Sequence, residues 1–99
     1  MVVVSGANCP SCDGCYNKSE KESNGKPVYI NKHDKTMTIA NSPKDDYWYI
    51  KIVISTHPHV GMVVYESMDI DGPQGKYESL FDDSIATVNC MSVCPYTLT

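Results

Sequence analysis

No apolar run in these 99 residues approaches the roughly 20 that a membrane-spanning helix requires, so no such helix is expected. Cationic stripes are missing too. Eight Lys and Arg are scattered among twelve Asp and Glu, for a net charge of −4, whereas a phosphate backbone selects clustered cations. Nucleic acid is therefore not an expected partner. Met1 is followed only by Val2, Val3 and Val4 before Ser5-Gly6, with neither the basic start nor the apolar length of a secretion signal. Two expectations fit: an intracellular protein, or a mature domain without its signal. Cysteine usage favours the second, because five cysteines in 99 residues suit an extracellular or other oxidising compartment. Asn17-Lys18-Ser19 is a glycosylation acceptor sequence that agrees with it.

Sustained helical stripes are absent, and phenylalanine and tryptophan occur once each against seven tyrosines. Such amphipathic aromatics suit a thin core whose rings reach the surface with their hydroxyls in water. With 41% hydrophobic and 20% charged residues the composition is that of a folded chain. A second core would need more residues than remain after the first, so residues 1–99 are expected to form a single β-domain.

The strongest periodicity runs from Tyr47 to Ser55. Trp48, Ile50, Ile52 and Ile54 fall on one side and Tyr47, Tyr49, Lys51 and Val53 on the other, the period of a strand with one buried face. Shorter alternations occupy Val2 to Val4, Val28 to Asn31, Met37 to Ile39, Gly61 to Ser67 and Ser84 to Met91, and Asn31 to Lys35 reads as a hairpin turn. Lys18, Glu20, Lys21, Glu22 and Lys26 read as a solvated loop. Turn residues punctuate the gaps at Ser23-Asn24-Gly25, Asn41-Ser42-Pro43, His57-Pro58, Asp71-Gly72-Pro73 and Gly75. The pattern predicts an all-β fold: a small antiparallel sandwich or open barrel of six or seven short strands in meander-like order, disulfide-stapled near the termini.

Taken in order, Val4-Ser5-Gly6, Asp13-Gly14-Cys15-Tyr16, Asn24-Gly25-Lys26-Pro27-Val28-Tyr29 and Tyr47-Trp48-Tyr49-Ile50 carry a resemblance. Over roughly residues 2 to 80 the chain resembles a Tyr- and Trp-rich β-module, with an Asn-Gly-Lys-Pro-Val-Tyr centre and a Trp-Tyr-Ile strand, that recurs in proteins of protists and invertebrates. The resemblance implies a recurring display or adhesion-like domain and brings no catalytic residue with it. The cysteines and the His57-Pro58-His59 segment depart from the module's usual pattern.

Cysteine is absent between Cys15 and Cys90, and the five stand as Cys9, Cys12 and Cys15 near one end and Cys90 and Cys94 near the other. Two disulfides between the bunches, with one thiol left over, is the favoured reading. Closing a loop of roughly 75 residues stabilises by about 4.5 kcal/mol in the chain-entropy model. Fifteen connectivities are open, and Cys12 is a plausible odd residue. The rival is a thiolate site for zinc, for which the three-plus-two grouping is not the paired knuckle pattern. An iron–sulfur cluster lacks a fourth ligand near in sequence. A Cys-x-x-Cys redox centre lacks a following helix to lower a thiol pKa.

Elsewhere the chemistry is sparse. Asp69-Ile70-Asp71-Gly72 opens like a calcium loop, but the fifth and twelfth positions are Pro73 and Leu80. Asp45-Asp46 and Asp82-Asp83 read as turn and solubility residues ahead of a surface calcium site. No Gly-flanked nucleophile is present, and adjacent carboxylates on a strand diverge. The expected protein is therefore not an enzyme and uses no cofactor or metal. It is expected to be a binding or structural module with a protein partner, with a small accessory subunit of a larger assembly or a cysteine-thiolate zinc or redox module as alternatives. Tyr47 and Tyr49, with His57 and His59 in a nearby loop, are the candidate contact residues, because tyrosine supplies large contact area at small entropic cost.

Overall fold

The computed structural model describes residues 1–9, 11–54, 57–68 and 72–96, with the backbone alone at 54 and 57–60. Among these residues the structure is eight strands and no helix: β1 (Val2–Ser5), β2 (Gly14–Ser23), β3 (Lys26–Asn31), β4 (Met37–Asn41), β5 (Trp48–Ile54), β6 (His57–Ser67), β7 (Gly75–Ser79) and β8 (Ile85–Cys90). Each strand pairs with its successor in antiparallel fashion. β8 then returns to β1, with Val2 opposite Cys90 and Ser5 opposite Thr87, so the sheet closes into a barrel. The expected meander is present. The strand count is eight and not six or seven, and pairing of the first strand with the last removes the free edges that an open barrel or sandwich keeps.

β2 and β7 make the difference in count. β2 carries Lys18, Glu20, Lys21 and Glu22, expected in a loop, because its ladder to β3 runs from Tyr16↔Asn31 to Ser23↔Lys26 around a tight Asn24-Gly25 turn in which both residues have positive φ (55° and 73°). The charged side chains face solvent along most of this strand. β7 buries only Tyr77 of its five residues.

An eight-stranded barrel is just wide enough for side chains to fill. Val2, Val4, Tyr16, Met37, Ile39, Ile50, Tyr77 and Val88 fill this one, each no more than 1% exposed, and Trp48 packs beside Tyr29 at a ring-centre distance of 6.4 Å. Three tyrosines expected to keep their hydroxyls in water are buried. Tyr16 donates to the Cys12 carbonyl at 2.6 Å, and Tyr77 to the Pro73 carbonyl at 2.6 Å. The Tyr65 hydroxyl meets Ser84 Oγ at 2.6 Å and accepts from the Asn8 amide at 2.8 Å. Paired in this way, phenols bring ring volume inward without an orphaned polar atom.

Residues 6–9 and 11–13 fold over the barrel end where β1 stops. The Ala7 amide donates to Asp13 Oδ1 at 3.0 Å, Asn8 Nδ2 to Asp82 Oδ2 at 3.1 Å, and Cys12 joins the core cluster. The chain beyond β8 leaves the opposite end and runs back along the outside. Met91 N donates to Met1 O at 3.0 Å, Cys94 is disulfide-bonded to Cys15, and Tyr96 donates its hydroxyl to Val4 O at 3.0 Å. Val3 and Cys15 alternate with the inward Val2, Val4 and Tyr16, yet they are buried on the side where this tail is fastened.

Candidate functional site

Because Trp48 and Ile50 take the inner face of β5, Tyr49 and Lys51 point outward. The loop that leads into β5 is tied at several points. Asp46 N donates to Ser42 O at 2.9 Å and Ser42 N to Tyr47 O at 2.8 Å. The buried Asn41 amide donates to Asp46 O at 3.0 Å and accepts from Asn24 Nδ2 at 2.7 Å. Lys26 Nζ meets Asp46 Oδ1 at 2.7 Å. Held there, Asp45 accepts the Tyr47 amide at 3.2 Å on one oxygen and the Tyr49 hydroxyl on the other.

Burial, followed by the Asp45 hydrogen bond and charge, pushes the Tyr49 phenol up to about 12. The same bond is the largest cause holding the Asp45 carboxyl below its ordinary range. Tyr49→Phe removes that donor and raises the Asp45 pKa toward the usual carboxylate value. Side-chain carboxyl NMR titration between about pH 2 and 5 reads this shift; an unmoved Asp45 midpoint counts against the bond.

Beside Tyr49 lies a groove of about 340 Å³. Ala40, Val63 and Leu80 form its apolar wall with the Tyr49 ring, and Lys44, Asp45 and Lys51 stand among its polar lining. The rim thus carries two ammonium groups beside the Asp45 carboxylate, with Glu66 opposite Tyr49 on β6. Asp45, Lys51 and Leu80 were not candidates on sequence grounds. The spacing of Asp45 four residues before Tyr49 is the one available signal, and Leu80, just beyond β7, is tied by a Leu80 N to Val64 O bond of 3.0 Å.

Tyr47, 41% exposed, stands on the loop next to the groove without lining it. For His57 and His59 the structure describes the backbone alone. Their backbone opens β6, with His57 opposite Ile54 at the far end of β5 from Tyr47, and their side chains lie outside the described residues.

Of the five cysteines, Cys15 and Cys94 are bridged across 79 residues with a Cα–Cα distance of 6.0 Å, joining the two bunches as expected. Cys12 is unpaired and buried. A second bridge between the bunches is not formed, and Cys9 and Cys90 are free as well. The geometry gives the reason: Cys90 ends β8 opposite Val2, whereas Cys9 and Cys12 belong to the segment over the other end. Two sulfurs are thus joined to each other and the rest are divided between the two ends. Among the described residues no group of three or more His, Cys, Asp or Glu is placed to hold a metal ion. Asp69 and Asp71 lie outside the described residues.

A second cleft, of about 360 Å³, opens at the end covered by residues 6–9 and 11–13. Its lining includes Cys9, Ile52, Met62, Val64, Tyr65 and Phe81. Comparison with models of protein families, with curated proteins and with solved structures gives no match to this chain.

Proposed function

We propose that this protein is a non-catalytic binding module that grips a protein segment through the outer groove beside Tyr49. The observation that carries this reading is the pinned ring. The Asp45 bond fixes Tyr49 before any partner arrives, which lowers the ordering cost of a large aromatic contact. The apolar wall takes an aliphatic side chain. Lys44 and Lys51, in a chain of net charge −4, favour an acidic residue beside it. The occupant is thus an extended acidic segment carrying one aliphatic anchor.

Asp45, Asp46 and Asp82 all sit below the ordinary range because hydroxyls, amides or Lys26 bond them. The Cys15–Cys94 bridge fits an oxidising compartment, and display or adhesion, as the module resemblance implies, would use such a groove. Exposed Met62 and Phe81, 51% and 67% accessible, favour the second reading, a small accessory subunit docked through the covered end.

Selection from a displayed random-peptide library tests the proposal. Enriched peptides are expected to pair aliphatic with acidic residues and to lose roughly tenfold or more in affinity, about 1.4 kcal/mol, on Tyr49→Ala or on Lys51→Glu. Binders indifferent to both substitutions, or clustered on Met62 and Phe81, would overturn it.

A further inference from the structure

We propose that Cys9 and Cys12 form a redox-responsive dithiol, which closes to an intramolecular disulfide by exchange with a low-molecular-weight disulfide reaching Cys9 through the apolar cleft. The two residues bracket a closed turn in which Cys12 N donates to Cys9 O at 2.9 Å. Such a turn holds its end Cα atoms within about 7 Å, and disulfides need roughly 4.4–6.8 Å. Both side chains pack on the same core cluster, and the Cys9 thiol lies beside that of Cys12. Burial first, and then this neighbour, hold the Cys12 thiol protonated well above its ordinary range.

Access separates the two roles. Cys9 is partly exposed and lines the cleft with Met62, Tyr65 and Phe81, whereas Cys12 is fully buried. The remaining free thiol, Cys90, sits at the opposite barrel end, and Cys15 and Cys94 are joined to each other.

The exchange balances in two steps. The Cys9 thiolate attacks one sulfur of the small disulfide RSSR and displaces RS⁻, leaving a mixed disulfide. Cys12 then passes its proton to the RS⁻ released in the first step and attacks Cys9 Sγ, which expels the second RS⁻ to be protonated by solvent. The two protein sulfurs are oxidised by two electrons, the reagent is reduced to two thiols, and the turn that Cys9 and Cys12 bracket becomes covalently closed at the barrel mouth. A dithiol reagent reverses both steps.

Glutathione disulfide is the probe, used on the folded Cys90→Ser protein with differential alkylation and intact mass. The expected product is two hydrogens lighter, with Cys9 and Cys12 both protected from alkylation. Adding Cys12→Ser removes the second sulfur, so one glutathione is expected to accumulate on Cys9, roughly tenfold or more above the Cys12-containing protein. Adding Cys9→Ser to Cys90→Ser instead leaves Cys12 alone, and circular dichroism confirms that the fold persists. Cys12 is then expected to react at least about tenfold more slowly than Cys9 does in the other variant. The proposal is overturned if both thiols stay alkylatable, if the mixed disulfide persists equally with and without Cys12, or if Cys12 reacts as fast as Cys9.

Discussion

Cys94→Ala is expected to lower the unfolding free energy by about 4.5 kcal/mol, the loop-closure value for a span of this length. The bridge spans 79 residues, so without it the unfolded ensemble regains nearly the whole conformational freedom of the chain. A domain of this size holds about 5–15 kcal/mol in total, which makes this single bond a large share. The substitution also frees the tail that lies outside β1, including the Tyr96 bond to Val4 O at 3.0 Å. Urea denaturation of the oxidised proteins reads the effect as a lower midpoint. Coincident midpoints would show that the barrel stands without its staple.

Alkali is expected to unfold the protein over a narrow range. Burial raises the pKa of the Tyr16 and Tyr77 phenols, the first cause in each case, and each hydroxyl donates to a carbonyl that a phenolate would face lone pair to lone pair. Both groups therefore stay protonated in the fold and lose protons near pH 10 once unfolded. The sign follows from the proton count. A folded-state pKa raised above the unfolded value gives stability that is complete below pH 10 and lost as pH climbs above it. Above that point the unfolded state binds two fewer protons, so stability falls by about 2.7 kcal/mol per pH unit from these two residues. Cys12, raised for the same first reason, adds to the slope from about pH 9. Urea midpoints at pH 8, 10 and 11, with phenolate absorbance followed in parallel, check this. Tyrosines that ionise in the folded protein without loss of structure would contradict it.

The Tyr47–Ser55 stretch was readable from sequence because Trp48, Ile50, Ile52 and Ile54 recur at every second position. Trp48 and Ile50 are buried as that alternation requires. The period-two signal fails where a strand contributes a single inward anchor. β7 offers only Tyr77, and β2 buries only Cys15 and Tyr16 before its charged residues begin. The anchors are met across a turn or loop, Ala86 opposite Tyr77 and Val2 opposite Tyr16, so the alternation inside either strand alone does not register them. Tyrosine compounds the difficulty, since its propensity for a wet hydroxyl is satisfied here by the carbonyls of Cys12 and Pro73. The pinning of Tyr49 by Asp45 is local, four residues apart. The groove is not, because Val63 and Leu80 arrive from other parts of the sheet. Sulfur pairing was legible as a link between the bunches and opaque in its partners, which depend on where the barrel ends fall.

The seam between β1 and β8 has a consequence for synthesis. β1 is synthesised before β8, so one rim of β1, from Val2 to Ser5, waits for its partners Cys90 to Thr87 while the strands between them are made. During that interval a row of unmet amides and carbonyls on a Val-Val-Val-Ser stretch is open to strands of neighbouring nascent chains. Prompt arrival of the final strand thus guards against clumping as much as it completes the barrel.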